Sequence, residues 1–132
     1  MADRPTPEQF RDVAELRAAL RRFLRRSGEI SEANGLTPRT HLLLLMIKGS
    51  LSGREATVSE LAERLQLSQS TVTELVKRAE HEGLVVRTRS SDDGRVVYVS
   101  ATEEGDRRIA ASVAAHGPER ELLFEILGSL KP

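Results

Sequence analysis

The chain has 132 residues with 20 basic and 20 acidic side chains, a formal net charge of zero; that is long enough for one domain with a sizeable core, but it lacks the overall basic field of a packaging or membrane-surface protein. No cysteine is present, which excludes disulfides, thiolate metal sites and thiol redox sensing. No stretch approaches the ~18 consecutive apolar residues of a membrane span, and the polar, acidic start has no leader-like apolar core, so a soluble cytoplasmic protein with no membrane partner is expected.

In chain order, Phe10, Val13, Leu16, Leu20, Phe23, Leu24 and Ile30 recur at helical spacing and predict a long amphipathic helix over about 7–34, ended by Gly35. Thr37 ahead of Pro38 marks the next helix start. Its run from Leu42 to Ile47 is apolar nearly all round, so this helix is expected to be buried on every side. Residues 49–54 (Gly-Ser-Leu-Ser-Gly-Arg) read as a loop.

Residues 57–102 carry the most information. Thr57 followed by Glu60 is a capping box opening a short helix with Leu61, Ala62 and Leu65 on one side. Gln66 and Leu67 make a turn, and Ser68 caps a second helix. There Val72, Leu75, Val76 and Ala79 form one apolar stripe, and Gly83 supplies the left-handed residue after its end. Opposite the stripe lie Ser70, Thr73, Glu74, Lys77 and His81, flanked by Gln69, Thr71 and Arg78. Hydroxyls, an amide and bases suit a helix seated in a DNA major groove, where they meet base edges and phosphates. A solvated surface helix would also be polar here, so the next element decides.

That element is a predicted hairpin: Leu84 to Arg89, a tip from Ser90 to Gly94, then Val96 to Ala101 with period-two alternation. Arg87, Arg89 and Arg95 give it local positive charge, and an arginine beyond a groove-seated helix can enter the adjacent minor groove. Asp93 is expected to pair with Arg95 across Gly94, which permits a tight reversal, and to hold that arginine extended. An ordinary charged β-turn would share the Asp-Gly step, but not its attachment to a helix pair. Beyond the hairpin, Thr102 opens a helix to about His116, and Gly117-Pro118 breaks it. Glu119 to Leu130 forms a last helix with Leu122, Leu123, Ile126, Leu127 and Leu130. Only the first few residues and Lys131-Pro132 are expected to be disordered.

The ordered set Gly35-Leu36-Thr37-Pro38, Gly83-Leu84-Val85-x-Arg87 and Asp93-Gly94-Arg95, followed by a strand and Thr102, resembles the multiple-antibiotic-resistance regulator (MarR) family of winged-helix transcription factors. The likeness runs from about Phe10 to Leu130. It implies a mainly α fold with a small β-wing: one winged helix-turn-helix domain over 1–132, its DNA-reading core at 36–101 and dimerisation helices at 7–34 and 102–130. The DNA contacts it implies come from Ser68, Gln69, Ser70, Thr71, Thr73, Glu74, Lys77, Arg78, Arg87, Arg89, Asp93 and Arg95. Glu74 stands where several relatives carry a base. A homodimer on double-stranded, palindromic DNA follows, the terminal apolar surface being covered by a second copy rather than only by the first helix. Repression released by a small aromatic or anionic effector is the implied switch, with Phe10, Arg17, His41, Leu45 and Met46 as candidate liners of its cleft.

Catalysis would need a nucleophile with its base, paired carboxylates in a cleft, or a metal cluster. His41, His81 and His116 are far apart in sequence and lack metal-ligand spacing, although His41 and His116 could approach one another across a dimer. No enzyme, cofactor or metal site is therefore assigned. The competing reading is a winged helix reused for protein–protein contact without DNA, which would not need this hydroxyl, amide and arginine face.

Overall fold

The computed structural model describes residues 3–130. The expectation of disorder at Lys131 and Pro132 lies outside them, as do Met1 and Ala2. Helix α1 (Pro7–Ala33) begins at a complete capping box: the Gln9 N–H donates to Thr6 Oγ1 (3.1 Å) and the Thr6 N–H to Gln9 Oε1 (2.7 Å). It stops where Gly35 takes φ +74° and the Gly35 and Leu36 N–H groups reach back to the carbonyls of Glu32 and Ser31.

Helix α2 (Pro38–Lys48) starts at Thr37, whose hydroxyl accepts from the Thr40 N–H. Leu43, Leu44 and Ile47 are wholly buried at the centre of the molecule, whereas Leu42 is exposed. The helix is thus wet along one line, not buried on every side as its composition suggested. Beyond it comes a strand that no sequence signal announces, β1 (Glu55–Thr57). Ser50 and Ser52 donate their hydroxyls to the Glu55 carbonyl (2.9 and 3.0 Å) and turn the chain into it. Three residues are too few to display a period, and pairing with a distant strand creates this one.

Helix α3 (Val58–Leu65) is capped by Thr57, but only one limb of the expected box forms. The Glu60 N–H donates to the Thr57 hydroxyl, which itself donates to the Glu60 carboxylate. Gln66, at φ 57°, makes the turn into α4 (Gln69–His81), and Ser68 caps α4 by accepting from the Thr71 N–H. Gly83, at φ +76°, ends that helix and leads into β2 (Val85–Arg89). Strand β3 (Val97–Ala101) returns antiparallel, with Arg89 opposite Val97 and Val85 opposite Ala101. The sheet order is β1–β3–β2. Val72, Leu75, Val76 and Ala79 of α4 are all buried against Leu61, Leu84, Val85 and Val99, as the stripe required.

Helix α5 (Glu103–Ala115) is capped by Thr102, whose N–H donates to the Leu84 carbonyl and whose hydroxyl donates to that of Gly83. Its first turn therefore rests on the junction between α4 and β2. Lys48 with Asp106 (2.6 Å) and Arg108 Nη1 to the Gly35 carbonyl (2.9 Å) tie it to the two ends of α2. Helix α6 (Gly117–Ser129) starts two residues before the sequence suggested, because Pro118 fits a first helical turn and opens the helix there. It packs along α1 through the Arg26–Glu119 pair (3.2 Å) and an apolar seam with Phe23, Leu123 and Ile126. Leu122, Phe124 and Leu127 stay exposed.

Candidate nucleic-acid interface

The stripe that fixes α4 on the core turns its opposite side outward. Gln69, Ser70, Glu74, Lys77, Arg78 and His81 are exposed on it, with Thr71 and Thr73 half-buried. Several of these groups are already oriented by internal bonds. Gln69 donates to Ser59 Oγ (3.1 Å) and so ties α4 to α3. The Thr73 hydroxyl donates to the Gln69 carbonyl (2.8 Å), and the Ser68 hydroxyl lies 2.8 Å from Thr71 Oγ1. Lys77 lies 3.6 Å from the Glu74 carboxylate one turn away.

The wing cations divide into two kinds. Arg87 turns back to Glu80 (Nη2 to Oε1, 3.0 Å) and braces the wing on α4. Arg89 donates to the Gly94 carbonyl (2.7 Å) and closes the tip on itself. Only Arg95 projects, with 95% of its side chain exposed. Beneath it Asp93 Oδ1 accepts the Arg95 N–H (3.0 Å) and stands 3.6 Å from Arg95 Nε. The carboxylate thus folds the turn and steadies the guanidinium at once. Gly94 adopts no left-handed φ, and a Cβ there would meet nothing, so the reversal rests on the Asp93 and Ser90 side chains rather than on glycine freedom.

A cleft of about 620 Å³ separates the start of α2 from α4, lined by Thr37, Pro38 and Arg39 on one wall and Thr71, Glu74, Lys77, Arg78 and His81 on the other. Its two walls lie far apart along the chain, so no local spacing signals it in the sequence.

The five candidate effector liners are spread out. Phe10 and Arg17 are exposed on α1, His41 is buried in α2, and Leu45 and Met46 pack half-buried against the core. Two cavities touch α1, one at its start around Asp3 to Val13 and one against α6, and both are lined by other residues. His41 and His116 approach one another within one chain. Both are buried, His116 lies against the Phe23 ring (centroids 4.2 Å apart), and burial beside His116 lowers the His41 pKa.

Residues 34–96, which hold the helix pair and most of the wing, match the MarR family model. The HTH-type transcriptional repressor MdtR of Bacillus subtilis is 40% identical over 80 residues, covering 59% of this chain and 48% of that protein. The chain spans about half or less of the length of the relatives it matches first. Among solved structures, AbsC, a MarR family transcriptional regulator from Streptomyces coelicolor, superposes with a TM-score of 0.77 at 21% identity, over 99% of this chain and 86% of that one. A mutant of the Escherichia coli protein MarR, complexed with operator DNA, superposes at 0.68 with 21% identity, over 87% and 79% of the two chains. Among the described residues, six helices around a small winged sheet share the fold of these regulators, and residues 34–96, with the Asp93-Gly94-Arg95 wing tip, carry the similarity to the MarR family.

Proposed function

We propose that the protein is a sequence-specific DNA-binding transcriptional regulator, a homodimeric repressor that places α4 in the major groove and Arg95 in the flanking minor groove of each half of a palindromic operator. The observation that carries this is the wing tip: a single projecting guanidinium, steadied by Asp93, beyond a helix whose outer face is short and polar. The repressor MdtR and the operator complex of the Escherichia coli protein support the same reading. The proposal includes a small aromatic or anionic effector that releases DNA, and work in the cytoplasm without catalysis.

The test is Arg95→Ala, assayed by mobility shift on the upstream region of the protein's own gene. Affinity is expected to fall by about 1–3 kcal/mol with an unchanged melting curve, because the side chain is almost wholly exposed and its ion pair is with the neighbouring Asp93. Full affinity in a normally folded variant would leave the winged helix as a protein-contact module.

A further inference from the structure

We infer that the cleft between the start of α2 and α4 seats a DNA phosphate backbone, with Arg39 as a contact from outside the helix-turn-helix. This rests on the DNA-reading function proposed above and adds to it a second wall of the groove.

Most cations of the reading half are already engaged. Lys48, Arg87 and Arg108 sit in ion pairs, Lys77 lies beside Glu74, and Arg64 and Arg89 donate to backbone carbonyls. Among the described residues Arg39, Arg54 and Arg78 have no such partner, and of these Arg39 and Arg78 line one cleft from opposite walls. With Lys77 and Glu74 offsetting each other, two uncompensated positive charges converge there.

Position then selects the ligand. Successive residues of a helix turn by about 100°, so Arg78 and Glu80 lie on opposite flanks of α4. Glu80 meets the wing through Arg87, while Arg78 meets the α2 cleft. A helix in a major groove is bordered by a sugar-phosphate strand on either side, and phosphates take most protein–DNA hydrogen bonds. With the wing beyond one border, the cleft stands beside the other. Arg39 is exposed and sits on a helix anchored by Leu43, Leu44 and Ile47, so its Cα is held while its fork remains free to chelate phosphate oxygens.

The experiment measures affinity against salt concentration for the full chain, on its own upstream duplex and on a random-sequence duplex of equal length. Arg39→Ala is expected to weaken both by roughly three- to tenfold at ~0.1 M salt, and to reduce the salt slope by about 0.9 per bound subunit. Arg39→Lys, which keeps the charge, should restore most of both quantities. Arg54→Ala removes an exposed arginine beyond the other end of α2 and should leave the slope unchanged. An unaltered slope in Arg39→Ala overturns the inference, as does an equal loss in Arg54→Ala, which would signify only long-range charge. Loss confined to the upstream duplex would make Arg39 a base reader and also overturn it. If the unmodified chain binds neither duplex, it is the DNA-reading function itself that fails. Arg39→Gln with a matching melting curve guards against a folding artefact.

Discussion

Gly105 is the residue whose side chain the fold can least tolerate. A Cβ there would stand 2.1 Å from the Leu84 carbonyl oxygen and 3.2 Å from Leu44 Cδ2. The obstacle is backbone, fixed by the Thr102 N–H that donates to the same oxygen (3.0 Å), so it cannot swing aside. Gly105→Ala should therefore lower stability by about 3 kcal/mol, read as a shift in denaturant midpoint at constant m. Gly94→Ala, with open space around it, should shift the midpoint little. The sequence points to Gly94 and is silent on Gly105. Asp-Gly is a local turn signal, whereas the need for Gly105 arises from a strand junction far earlier in the chain that only tertiary packing brings near. The same distinction divides the site. The α4 stripe and its polar face were legible because helical periodicity is a local property. The internal bonds of Arg87 and Arg89, and the wall supplied by Arg39, depend on which elements meet.

At the scale of elements, α2 links the reader to the outer helices, and its least comfortable group is His41. The His41 Nδ1 and His116 Nε2 atoms are buried without a hydrogen-bond partner. Burial first, and the neighbouring His116 second, hold the His41 pKa below its ordinary 6.5. The sign follows from proton linkage: below about pH 6.5 the unfolded chain takes up a proton that the folded chain refuses. The stabilisation is complete above that value and is lost as pH falls from it towards the depressed folded pKa. The melting temperature should decline between about pH 7 and pH 5, and His41→Gln should flatten that decline. A wild-type melting temperature constant across this window would sink the assignment. Helical periodicity placed both histidines, but their meeting within one chain depends on how α5 turns into α6. The element it missed outright, β1, has the same origin, since so short a segment becomes a strand only because β3 lies beside it.

At the scale of the whole molecule, α6 has two apolar sides and one chain covers only one of them. Leu123 and Ile126 are half-buried against Ala19 and Phe23 of α1, as intramolecular packing required. Leu122, Phe124 and Leu127 face water, with 67% of Phe124 exposed, and Phe10, Val13 and Leu24 do the same on α1. At ~25 cal/mol per Å² of apolar surface, covering these side chains with a second copy of the same helices is strongly favourable, and twofold symmetry buries each of them twice. Under the proposed function, two linked readers would bind a palindrome far more tightly than a half-site, because the second engagement is intramolecular. An effector that stabilises a dimer with mis-spaced reading helices would release the DNA. Replacing Phe124 and Leu127 together by serine leaves every reading residue and the α1 seam in place. The variant should scatter light as a single 14.6 kDa chain where the wild type scatters as two. Its affinity for a half-site should be nearly unchanged while its advantage on the full palindrome disappears. A wild-type protein that is already monomeric, or a variant that keeps its preference for the palindrome, would show that these helices do not join the two readers.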